Sequence, residues 1–331
     1  MKVAVIGTGG WGTALAVLLH ENGCSVRLWS RLEEEVEPIL AARENRLFLP
    51  GVKIPEAIVV TLDEVDALSR ADMVVLAVPS HGMREVCRRL KPFVPRKAIL
   101  VHVTKGLENE TAKRMSEVIA EELGREDVVA LSGPSHAEEV ACGVPTAVVV
   151  ASRDHKLAVR VQEVFMNEYF RVYWHDDLVG VELGGAMKNV VALAAGVCDG
   201  IGFGDNTKAA LCTRGLAEMV RLGVACGARA ETFAGLSGMG DLMVTAFSRH
   251  SRNRAFGERL GRGETAGQIL ASTRSVAEGV RTVRSVCQLA DRYGVEMPIS
   301  REVYAILYAG KSPKQAVRDL MGREAKPEFQ N

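Results

Sequence analysis

A lysine in an otherwise apolar stretch is the first residue here that could do chemistry. Between Leu183 and Cys198 every residue is Gly, Ala, Val, Leu, Met or Cys except Lys188 and Asn189. A helix apolar on all sides belongs inside a protein, and these 16 residues would span roughly 24 Å. A buried ammonium must be paired or give up its proton, because an isolated one costs several kcal/mol. Lys188 therefore either snorkels to the surface at a domain edge or is an amine of lowered pKa placed to move a proton. Gly184, Gly185 and Ala186, just before it, would leave room for another molecule to come close.

Other chemistry-grade residues are spread along the chain. Gly7-Thr8-Gly9-Gly10-Trp11-Gly12 reads G-x-G-x-x-G and opens a helix directly after the β-branched run Lys2–Ile6. Gly7 would allow a tight turn, Gly9 a close approach to a pyrophosphate, and Gly12 close packing of helix on strand. Phosphates would then sit on backbone N–H groups at the helix N-terminus. Lys105 follows a strand, where phosphate or carbonyl oxygens could arrive. In Ser132–Glu138, Ser135 and Glu138 have the spacing of a capping box; His136 lies between them and is not assigned a role. Leu236–Asp241 is a flexible glycine loop ending in an acid, with no Gly-Lys-Ser/Thr to make it a P-loop. Ser248–Arg254 is a dense polar turn entering a short helix. Its hydroxyl, amide and guanidinium groups suit a phosphate monoester, and composition alone equally allows a solvated basic turn.

These residues need elements to position them. Strands are expected at 25–29, 58–61, 73–78, 99–104, 128–131, 147–150 and 171–174. The nearly continuous apolar runs 73–78 and 99–104 indicate strands covered on both faces. From Glu182 onward the β-runs stop, and long helical segments follow at 182–198, 207–226, 276–293, 299–309 and 313–321. The change places a domain boundary near residue 180. The expected fold class is α/β: a Rossmann dinucleotide-binding domain (1–180) followed by an all-α substrate-binding and catalytic domain (181–331). The second strand ends in Ser30-Arg31, with no acid to hold a ribose 2′-OH and repel a 2′-phosphate. Arg31 therefore suits NADP(H) without excluding NAD(H).

Lys plus Arg equals Asp plus Glu, 41 each, so no bulk field attracts nucleic acid or an anionic membrane. Residues 1–10 do not read as a signal peptide, and no apolar run is expected to reach bilayer-spanning length. The 7 cysteines form no C-x-x-C pair, which argues for free thiols in a reducing cytoplasm and against a metal site.

Taken together, GTGGWGTALA, VPSHGMREV, TKGLE, LSGPSHAEEV, ELGGAMKNVVALAAGVCDGIGFGDNTKAAL, GLSGMGDLMVT, SRNRAFG and VAEGVRT, in that order, resemble the bacterial-type NAD(P)-dependent glycerol-3-phosphate dehydrogenases from residue 1 to residue 321. The resemblance implies a helical domain of the 6-phosphogluconate dehydrogenase type. It implies reversible reduction of dihydroxyacetone phosphate to sn-glycerol 3-phosphate, supplying phospholipid synthesis. It also implies that Gly10, Trp11, Arg31, Lys105, Ala137, Arg252, Val276 and Glu278 contact the cofactor. Lys105, Gly133, Ser135, Lys188, Asp241, Ser251, Arg252 and Asn253 would contact substrate, with Lys188 as the proton acceptor. Asn189 or Lys105 could polarise the reacting oxygen. The expected setting is a cytoplasmic enzyme of small molecules, with a homodimer allowed. Two rivals are a dehydrogenase of β-hydroxyacids and a non-catalytic NAD(P)H sensor.

Overall fold

The computed structural model describes residues 1–273, 277–325, 327 and 328. Its strands are β1 (Lys2–Ile6), β2 (Ser25–Trp29), β3 (Glu44–Asn45), β4 (Leu49–Lys53), β5 (Val59–Thr61), β6 (Met73–Leu76), β7 (Ile99–His102), β8 (Val128–Ser132), β9 (Thr146–Ala151) and β10 (Phe170–His175). Eight of them form one sheet in the order β10-β9-β8-β7-β6-β1-β2-β5. Neighbours are parallel except β8 and β9. From β1 the chain builds outward through β2 and β5, then crosses to lay β6 on the other side of β1. That reversal makes a crevice beyond the C-terminal ends of β1 and β6, where ligands of such sheets bind. Strands β6 and β8 are buried at every residue, as expected of strands covered on both faces.

The β3–β4 hairpin is not anticipated by the sequence. Its strands are short and its register shifts between Glu44 and Asn45, so the alternation that marks a hairpin is missing. It nonetheless braces the nucleotide loop: Asn45 Nδ2 donates to the Thr8 carbonyl at 2.6 Å and to Thr13 Oγ1 at 2.8 Å.

In the second half the helix Leu178–Ile201 is the axis, buried from Gly180 through Cys198. It begins four residues before the expected start because Asp177 caps it, accepting from Gly180 N at 2.9 Å. Gly202, in the left-handed region at φ 89°, ends it. This corrects one expectation. Its 24 residues, containing an 18-residue window of mean hydropathy 1.4, do reach the length and composition that could cross a membrane. Its apolar character is spent inside the protein instead, since 94% of that window is buried.

The helix Arg252–Gly261 crosses this axis at backbone contact. A Cβ on Gly196 would lie 2.0 Å from the Arg254 carbonyl oxygen, and one on Gly257 2.0 Å from that of Leu193. Gly200 and Gly261 continue the contact one turn further along each helix. Helices Asp205–Ala225, Glu278–Tyr293, Pro298–Tyr308 and Pro313–Met321 complete the layer. Ser312 caps the last of these through Gln315 N, but the Gln315 side chain turns to Asp319 and Arg318 rather than closing a capping box.

The two halves are joined by buried charge. Glu182, on the axis, accepts from Arg114 Nη1 at 2.6 Å, Ser116 N at 2.7 Å and Ser116 Oγ at 2.6 Å. His102 Nε2, at the end of β7, lies 3.1 Å from it. Burial pushes the Glu182 carboxyl up, but His102, Arg114 and Ser116 together outweigh it and bring it down to about 2.

Candidate functional site

The glycine loop closes β1 as its spacing predicts. Gly7 has φ 117°, and a Cβ there would meet the Ala77 carbonyl oxygen at 2.5 Å. A Cβ on Gly12 would lie 2.0 Å from the Gly7 oxygen, so the helix seats directly on the turn. Gly9, the helix N-cap, has nothing within 4 Å of its open side. Gly10 packs under the Phe48 carbonyl and beside Ala137, while the Trp11 indole N–H is buried with no partner among the described residues. Three packed glycines, one open glycine and an unpaired donor fit a dinucleotide pyrophosphate. Arg31 is half-exposed and paired with Glu85.

Lys188 is 5% exposed and does not snorkel. Its Nζ donates to Asp241 Oδ1 at 2.9 Å and to Thr245 Oγ1 at 2.7 Å. Lys105 Nζ reaches the other Asp241 oxygen at 2.8 Å, the Gly133 carbonyl at 2.7 Å and Ser135 Oγ at 3.2 Å. Two ammonium groups thus share one carboxylate. Burial is the main cause that lowers the Lys188 pKa; Asp241 opposes it, Lys105 and Arg252 add to it, and the amine comes down to about 8. Burial pushes the Asp241 carboxyl up, yet Lys105 and Lys188 hold it below its ordinary value.

Several expected roles change. Leu236–Gly240 is not a loose loop but a π-helical turn running into the helix Asp241–Phe247, and a Cβ on Gly238 would strike the Phe233 carbonyl oxygen at 2.1 Å. Ser135 makes no capping box: His136 is the N-cap of a helix of 4 residues, and the Ser135 hydroxyl donates to the Gly133 carbonyl at 2.9 Å. Gly184 and Gly185 admit the protein's own Ser237 carbonyl and Ser132 hydroxyl rather than a ligand. Asn189 is engaged at both ends, donating to the Lys105 carbonyl at 2.9 Å and accepting from Asn253 Nδ2 at 2.9 Å. Its second amide hydrogen reaches only the Gly185 carbonyl, at a weak 3.4 Å, so Asn189 fixes a frame and holds one donor loosely. His136 is lowered by burial, with Lys188 and Lys105 adding to the effect, and its ring centroid lies 5.9 Å from that of His250.

The polar turn forms a true helix start. Ser251 Oγ accepts from Arg254 N at 3.2 Å, and Asn253 Oδ1 accepts from Gly279 N at 2.9 Å. Arg252 is exposed, and its charge is felt by Lys188. Across the crevice Glu278 accepts from Ser80 N at 3.0 Å and Ser80 Oγ at 2.6 Å, tying the helical half to the end of β6. Val276 lies outside the described residues. Thr245 was not singled out from sequence; it sits four residues after Asp241, and that helical spacing was the available signal.

Two family models match the chain: NAD-dependent glycerol-3-phosphate dehydrogenase N-terminus over residues 2–158 and C-terminus over residues 177–318. The chain is 54% identical to a glycerol-3-phosphate dehydrogenase [NAD(P)+] of Pelotomaculum thermopropionicum, covering 97% of this chain and 93% of that one. It is 51% identical to that of Moorella thermoacetica, over 97% and 96% of the two chains. A crystal structure of glycerol-3-phosphate dehydrogenase from Coxiella burnetii superposes with a TM-score of 0.94 at 39% identity, covering 97% of this chain and 99% of that one. With its crevice, its buried lysine and these relatives, the chain belongs to the NAD-dependent glycerol-3-phosphate dehydrogenase family.

Proposed function

We propose that this chain reversibly reduces dihydroxyacetone phosphate to sn-glycerol 3-phosphate, with Lys188 as the group that gives and takes the proton at the C2 oxygen. When bound, NAD(P)H supplies the hydride for C2 and the oxidised form takes it back. Residues 1–180 supply most of the dinucleotide contacts and residues 181–331 most of the substrate contacts, with Lys105, Arg252, Val276 and Glu278 reaching across. Gly7, Gly9, Gly10, Trp11 and Gly12 cradle the pyrophosphate; Arg31, Lys105, Ala137, Arg252, Val276 and Glu278 complete the cofactor contacts.

The observation that carries the reading is the Lys188 amine, 2.9 Å from Asp241 and 2.7 Å from Thr245 in a dry setting. Asp241 orients the ammonium and keeps it from losing its proton altogether, while burial keeps that proton easy to give. Lys105, fixed by Asp241, Gly133 and Ser135, presents a second positive charge where negative charge develops on oxygen. Arg252, with the Ser251 hydroxyl and the helix start that Asn253 steadies, receives the substrate phosphate. Binding there is converted into alignment at C2.

The same reading sets the enzyme in the cytoplasm, where its free thiols stay reduced, acting on small molecules and feeding phospholipid synthesis; a homodimer is checked by sedimentation. Mixing purified protein with NADPH or NADH and dihydroxyacetone phosphate should consume nicotinamide absorbance. Consumption with neither nucleotide would leave only a binding role. Faster turnover of β-hydroxyacids would move the reading to a carboxylate substrate.

A further inference from the structure

The end of β2 carries no acid in sequence, yet the fold delivers one there. Glu35, in the first turn of the helix Glu33–Ala42, folds back so that its carboxylate accepts from Ser30 Oγ at 2.7 Å. The same oxygen accepts from Thr8 Oγ1, within the glycine loop. Thr8 and Ser30 are both buried, at 1% and 5% exposure, and Thr8 is held in turn by Asn45. The carboxylate therefore spans from the residue after β2 to the G-x-G turn. In sheets of this topology that is where an acid at the end of β2 meets the adenosine ribose.

We propose that Glu35 is a specificity-determining residue that tilts the site toward NAD(H) and against NADP(H). A carboxylate fixed there accepts a hydrogen bond from a ribose 2′-OH and repels a 2′-phosphate. Arg31, the residue that favoured NADP(H) in the sequence, is half-exposed and paired with Glu85 on the helix Met83–Leu90. Its attraction for a 2′-phosphate is thus partly neutralised and screened by water. Glu33 and Glu34, beside Glu35 in the same helical turn, add negative charge to this corner.

The inference rests on the nucleotide lying along the glycine loop. Calorimetric titration of the full chain with ADP-ribose and with 2′-phospho-ADP-ribose tests it without turnover. The wild type should bind ADP-ribose more tightly. Glu35→Gln should shift the affinity ratio toward the phosphorylated ligand by at least ~10-fold, the equivalent of ~1.4 kcal/mol. The kcat/KM ratio for NADPH over NADH should move the same way, whereas Arg31→Ala should move both ratios oppositely. A wild type that prefers the phosphorylated ligand overturns the inference, and so does a Gln variant that loses both ligands equally, which is what a purely structural brace would give. Binding of neither ligand to the wild type overturns the nucleotide site itself, so the two failures are distinct.

Discussion

At the scale of single residues, Lys188 is controlled by two opposed influences, and their balance is measurable. Its pKa of about 8 gives the free enzyme a titration that both directions of the reaction should reveal. Reduction needs the ammonium, so its kcat/KM should be level below pH 8 and fall as pH rises through about 8. Oxidation needs the free amine and should rise through the same region. Asp241→Asn removes the charge that opposes burial, so the falling limb of reduction should move to lower pH. A limb that stays in place would assign the titration to another group. Lys188→Ala should cut turnover by ~10²–10⁴-fold, the usual loss of a general acid; a near-normal rate would end its assignment.

At the scale of elements, legibility in the sequence followed periodicity. The sheet strands and the long helices show it, and the glycine loop was readable because strand, turn and helix follow one another directly. The β3–β4 hairpin was not, since its short, shifted strands carry no alternation. The frame that Asn189 builds between Lys105 and Asn253 was not legible, because a sequence shows a side chain's donors but not what they meet. Glu35 was passed over because only the residue ending β2 was weighed, while the fold returns a carboxylate from the next helical turn. The π-helical turn before Asp241 looked like a loop because glycines in sequence do not say whether they serve flexibility or tight packing. The crossing at Gly196 and Gly257 makes that distinction testable. Gly196→Ala forces a methyl group into the Arg254 carbonyl and should cost ~1–3 kcal/mol of stability, as overpacking does. Because it displaces the helix that starts at Arg252, it should also raise KM for the phosphorylated substrate more than it lowers kcat. An unchanged KM would show that the crossing does not set the phosphate site.

At the scale of the whole molecule, the two halves should unfold as one. Glu182 joins β7 and the helix Met115–Leu123 to the central axis, Glu278 bonds Ser80 across the crevice, and Ser285 Oγ donates to the Glu108 carbonyl at 3.0 Å. Glu182→Gln leaves the buried Arg114 with only the half-exposed Glu117 as a counter-ion and should cost ~1–3 kcal/mol in urea denaturation. In the wild type the lowered Glu182 pKa contributes stability that is complete above its ordinary value of 4.5 and is lost as pH falls toward about 2. That contribution is worth about 3 kcal/mol. Nucleotide at 100 times its Kd should add about 2.7 kcal/mol and raise a single thermal transition as a unit. Two transitions, with only the first responding to nucleotide, would show that the joining contacts are too weak to couple the halves.

The glycine crossing has one more consequence, for which substrates fit. Where two helices touch through their main chains, no side chain lies between them whose size could be traded for another. The spacing between the amine on one and the turn proposed to receive the phosphate at the head of the other is therefore a fixed ruler. Phosphorylated ketones with one carbon more or fewer between carbonyl and phosphate should be poor substrates, rejected by length before any pocket wall is consulted.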